Sequence, residues 1–139
     1  MTDILHTETY KKHIIEVFYD EYCDNPRKEG DPLSYMITHT RNYTIGDERT
    51  KTANDVWQYL YNKIGCSFEI ERNCVDHSER IELEAHKKGL LLPIYLYDHS
   101  GITIRTTPFS CHWDSGQIGF VYVSNKDIAK EYGHKIATK

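Results

Sequence analysis

The sequence has little of what marks a specialised chain. No apolar run approaches the ~18 residues that a membrane-spanning helix needs, and the opening stretch MTDILHTETYKKH lacks the apolar core of a secretory signal. Only 4 prolines and 8 glycines in 139 residues exclude a low-complexity chain. Charge of one sign is scarce too: 17 Lys and Arg against 21 Asp and Glu leave a net charge of −4. That balance argues against a generic duplex-DNA binder, which leans on a basic face, and it is too mild for a DNA mimic. The 4 cysteines are Cys23, Cys66, Cys74 and Cys111, and without an export signal reduced thiols are expected. A zinc motif needs ligands paired two to four residues apart. Only Cys74 and His77 are so spaced, with Cys66 and His86 well outside that interval, so no metal is expected. Nor is a cofactor: there is no glycine-rich phosphate loop and no His-Glu-x-x-His helix.

What the chain does have is tyrosine, 11 residues against 4 Phe and 2 Trp. Residues 10–22, rich in β-branched and aromatic side chains, predict a first strand. Residues 23–33, with two prolines and mixed charge, predict a loop, and 34–39 a short second strand. Val56, Trp57, Leu60, Tyr61 and Ile64 form a helical stripe that starts near Thr52 and stops at Gly65. A second helix follows over 78–88, capped by Asp76-His77-Ser78-Glu79, acidic early and basic late as the helix dipole favours. Residues 90–106 predict a hairpin turning at Asp98–Gly101, with Pro93 at an edge or a bulge. The loop 107–116, the strand 117–123 and a last helix capped by Ser124 and Asp127 complete the chain. The order predicts a single α+β domain over 1–139: a mostly antiparallel sheet of about five strands, a central helical pair and a C-terminal helix.

Chemistry-bearing residues concentrate in Asp98-His99-Ser100-Gly101 and in Ser110-Cys111-His112-Trp113-Asp114-Ser115-Gly116. A hairpin sends its tip to one end of the sheet, while the following loop leaves from the other, so the two clusters are expected to meet only if that loop folds back. If they meet, Cys111 could act as a nucleophile with His99 or His112 as base, His99 the better partner because adjacent residues of an extended chain point to opposite sides, and Asp98 or Asp114 as orienting carboxylate, a small Cys/His hydrolase. The plainer reading makes both aspartates turn residues that accept bonds from their own backbone and Cys111 a small buried hydrophobe. A third use of this end is binding, through Tyr97, Asp98, His99, Trp113, Asp114 and Ser115. Tyr35, Tyr43, Tyr59, Tyr61, Tyr95, Tyr97 and Tyr122 could supply a stacking platform for single-stranded RNA, with Lys126, Lys130, His134, Lys135 and Lys139 as a basic patch. Against this, Asp127 and Glu131 dilute the patch, and most tyrosines suit a core edge. Asp20 with Glu21 reads as a solvated strand end.

Leu92–Thr103 (LPIYLYDHSGIT), Pro108–Cys111 (PFSC) and Trp113–Ser124 (WDSGQIGFVYVS) together resemble a family of small, functionally uncertain proteins of bacteriophages and mobile elements. Asn25-Pro26-Arg27, His39, Arg41, Tyr43, Gly46 and Asp47 look like its weaker upstream counterpart, and the relatives continue beyond the equivalent of Gly133. The resemblance implies no catalytic residues. It implies a setting: the bacterial host cytosol, and a protein that inhibits host defence by binding an effector, most of all an anti-CRISPR protein acting on a CRISPR ribonucleoprotein complex. Aromatic anchors suit such recognition. The resemblance specifies neither the oligomeric state nor the target.

Overall fold

The computed structural model describes residues 4–135. Its elements are β1 (Ile4–Tyr10), β2 (His13–Phe18), α1 (Pro26–Glu29), β3 (Tyr35–His39), β4 (Glu48–Thr50), α2 (Ala53–Ile64), α3 (Ser78–Lys88), β5 (Gly89–Asp98), β6 (Ile102–Arg105), β7 (Ser115–Ser124) and α4 (Asn125–Glu131). The fold class is α+β. A five-stranded sheet in the order β4-β3-β7-β5-β6 carries the helical pair α2 and α3, and β1 with β2 makes a separate two-stranded sheet.

The start of the chain differs from expectation. In place of one strand over 10–22, β1 and β2 form an antiparallel hairpin that turns on Lys11 and Lys12, both at positive φ (45° and 69°). Such a two-residue turn matches the twist of the flanking strands but ordinarily uses Asn-Gly, which is why two lysines gave no signal. The loop 23–33 contains the short helix α1, capped by Asn25, whose Oδ1 accepts from Arg27 N at 2.9 Å. The polar stretch after β3 contains β4, paired parallel to β3, so the sheet is mixed. A connection this short between parallel strands is held by β3 itself. Thr38 Oγ1 donates to Ile45 O at 2.7 Å, Met36 O accepts from Asp47 N at 2.8 Å, and Arg49 reaches Thr40 O at 3.0 Å.

α2 begins with a reciprocal cap. Asp55 N donates to Thr52 Oγ1 at 3.2 Å, and Thr52 N donates to Asp55 Oδ2 at 3.0 Å. It ends at Gly65 in the left-handed region, and Lys88 Nζ, reaching over from α3, donates to Gly65 O at 2.7 Å. α3 lacks the expected side-chain cap. A single 3-10 turn, Val75–His77, leads straight into it, so Asp76 is already inside helical backbone and cannot cap. Pro93 sits opposite Phe120 of β7, and β6 pairs with β5 only from Tyr95 onward, so the proline nitrogen faces an open edge. A register shift follows directly at Ile94/Tyr95. In α4, Asp127 N donates to Ser124 Oγ at 3.0 Å.

The core lies between the helical pair and the sheet. Ile37, Val56, Leu60, Ile81, Leu91 and Phe120 are buried there, together with Cys74. β3 and β7 approach so closely at Gly119 that a Cβ would stand 2.0 Å from Ile37 O. No helix among the described residues is long and apolar enough to cross a membrane.

Candidate functional site

The two chemistry-bearing clusters do meet. β7 begins beside the end of β5, with Ser115 opposite Tyr97, so the loop 106–114 must return along the sheet to start it. Two contacts fold it back. The Arg105 guanidinium lies 3.9 Å from the centre of the Phe109 ring and donates to Thr107 O at 2.9 Å and to Pro108 O. Phe109 in turn stacks on Tyr97 at 5.4 Å. Asp98 N then donates to Asp114 O at 2.8 Å, which joins the hairpin tip to the loop.

Around that junction the side chains form a connected surface. Tyr97 lies between Phe109 and the His99 ring, which is 6.0 Å away. His99 Nδ1 is 3.2 Å from Asp114 Oδ2, both side chains well exposed. A polar contact this open contributes little stability; it fixes where the ring points. Tyr43 reaches over from the β3–β4 connection and donates to Asp98 Oδ2 at 2.8 Å. The bond to the Asp98 carboxylate, then burial, then that carboxylate's charge hold the Tyr43 hydroxyl above its ordinary pKa. Trp113 is 97% exposed. It borders a shallow depression with Leu96, Asp98, Asp114 and Ile118. Ser115 Oγ donates to Cys111 O, so its hydroxyl closes the loop.

Among the described residues neither aspartate side chain accepts from its own turn backbone, in contrast to the plainer expectation. Asp98 holds Tyr43, and Asp114 holds His99. Cys111 is half-buried, and its Sγ stands 3.9 Å from Asp114 Oδ2. Among the described residues, no hydrogen bond joins Cys111 to His99 or His112. Thiol and imidazole each contact Asp114 Oδ2, whereas a nucleophile needs its base within direct hydrogen-bond reach. Cys74 is buried in the core, its Sγ 3.2 Å from Gln58 Oε1. No group of three His, Cys, Asp or Glu side chains among the described residues could hold a metal ion. The tyrosines are spread out: Tyr122 is buried, Tyr61 donates to Phe68 O at 2.5 Å, and Tyr35 stacks on Tyr59 at 5.6 Å beneath Lys63. Lys126 and Lys130 lie exposed on α4, and Lys139 falls outside the described residues.

The residues that sequence reasoning left without a role form a second linked set. Arg27 pairs with Asp47, and Asp47 Oδ2 also accepts from Met36 N at 2.7 Å. Burial works against the Asp47 charge. The Arg27 hydrogen bond, the Met36 N–H and the guanidinium charge together outweigh it, and the carboxyl sits below its ordinary pKa. This set ties α1 to the start of β3, and only the wide spacing of Arg27 and Asp47 hid it.

No protein-family model matches the chain, and neither a curated protein nor a solved structure matches it.

Proposed function

We propose that this chain is a protein-binding inhibitor of the phage or mobile-element type, which uses the Tyr97–Ser115 end of its sheet to engage a bacterial defence effector, a CRISPR ribonucleoprotein complex foremost. The observation that carries the binding part is Trp113. A side chain that large, 97% exposed, has no folding role at its position, and Trp is the residue most often found at the energetic centre of an interface. Its surroundings suit recognition. A stacked Tyr97–Phe109 pair and the Asp98 N to Asp114 O bond tie down the backbone beside it, which limits the backbone ordering left to docking. Asp98 and Asp114 beside it complement a basic partner surface, as nucleic-acid channels of effectors are. The effector assignment rests on the resemblance of residues 92–124 to phage and mobile-element proteins.

Co-migration of the purified chain with purified CRISPR effector complexes on a sizing column, paired with a DNA-cleavage assay, tests this. A stable complex and reduced cleavage are expected, with Trp113→Ala weakening binding at least tenfold, an interface anchor's loss, while unfolding stays unchanged. Failure of every effector to bind overturns the defence reading, and full binding by Trp113→Ala overturns the surface.

A further inference from the structure

The β1–β2 hairpin stands apart from the five-stranded sheet and its helices. Every residue from Ile4 to Phe18 is exposed, and no helix or strand of the five-stranded body packs substantially against it. It nevertheless carries Ile4, Leu5, Ile14, Ile15, Val17 and Phe18, between 42% and 71% exposed. The register puts Ile4, Ile14 and Phe18 toward one face, and Ile15, Val17 and Tyr10 toward the other. A lone two-stranded hairpin is marginal in water, and both its edges offer unpaired backbone groups. Such an arm calls for an occupant.

Its charges say which. The tip carries Lys11 and Lys12, and the chain leaving the base carries Asp20, Glu21 and Asp24, all exposed. Among the described residues none of these five takes part in an ion pair. Strands of this length run about 20 Å, too far for tip and base of one arm to satisfy each other. We propose that the arm is a self-association device: two copies dock arm against arm about a two-fold axis, so that the Lys11-Lys12 tip of each lies on the Asp20, Glu21 and Asp24 base of the other. An isologous contact requires a self-complementary surface, and positive tip with negative base is complementary under end-for-end exchange. Residues 25–139 carry 15 Lys and Arg against 15 Asp and Glu, so no net charge on the two bodies opposes contact through the arms.

Sedimentation equilibrium of the full chain over a concentration series tests this without any effector, so its outcome is independent of the proposed function. The wild-type chain is expected to dimerise reversibly, more weakly as salt rises. Lys11→Glu with Lys12→Glu, and separately Asp20→Lys with Glu21→Lys and Asp24→Lys, should each raise the dissociation constant at least tenfold. Mixing the two variants one to one should restore a dimer, because each reversed tip then meets a reversed base. A wild-type chain that stays monomeric at every soluble concentration overturns the proposal. A dimer indifferent to both reversals, or a mixture that fails to re-form one, overturns it equally. Circular dichroism of each variant separates lost folding from lost association.

Discussion

In the body, Ile37, Leu60 and Ile81 are at most 1% exposed; in the arm, Ile14 is 71% exposed and Phe18 46%. The side chains are of the same kind. What separates them is a second layer: β3, β5 and β7 have α2 and α3 across from them, and among the described residues no helix or strand packs substantially on β1 and β2. Fully burying a Leu or Ile side chain contributes about 1.5–3 kcal/mol, so the body collects that stabilisation repeatedly and the arm leaves most of it unrealised. Hydrophobic composition alone therefore does not mark a core. A core needs a layer to close against, and an apolar strand without one is either a docking element or a liability.

Truncation in the body tests that difference most severely. Leu60→Ala removes a side chain that is 1% exposed between α2 and the sheet and is expected to cost about 2–5 kcal/mol, read as a lowered denaturant midpoint at unchanged slope. A cost below 1 kcal/mol would erase the distinction, since the helix layer would then not be closing the core.

A smaller effect belongs to the polar tie at the body's margin. Asp47→Asn weakens the Arg27 pair and the bond from Met36 N, and is expected to cost about 1–3 kcal/mol. The sign with pH follows from the lowered carboxyl. Its stabilisation is fully present above the ordinary carboxylate value of 3.8 and is lost as pH falls through the lower folded value. Acid unfolding curves of wild type and Asp47→Asn should therefore converge as pH drops below that value. Parallel curves all the way down would mean that Asp47 does not titrate through this pair.

Much of the body was legible because its signals are local. The helix start at Thr52, its stop at Gly65, Ser124 with Asp127, and the Asp98–Gly101 turn each depend on a few neighbouring residues, and each stands where the pattern placed it. The bulge and open edge at Pro93 follow from the missing N–H alone. What was not legible depends on distant partners. β4 is strand only because β3 satisfies its connection. The meeting of Asp98 with Asp114 hinges on Phe109 finding Tyr97 and on Arg105 turning the loop back, and no spacing encodes either. The arm was hidden for a third reason. Lys11-Lys12 offers no turn signal, so β2 reads as a strand over 10–22 and β1 is not read as a strand at all.

The mildest change falls on the arm. Ile14→Ser, measured at concentrations low enough for the chain to be monomeric, is expected to shift unfolding by no more than about 0.5 kcal/mol, because the lost side chain was already in water. Amide exchange should agree: protection strong in β5 and β7, weak in β1 and β2, since an uncovered hairpin opens at little cost. Raising the concentration sharpens the contrast. If two arms cover each other, protection in β1 and β2 should rise with dimer population, and Ile14→Ser should then become costly while Leu60→Ala keeps its cost. An arm as protected as β5 in the dilute monomer would break the comparison, for it would show that the hairpin is held by the body after all.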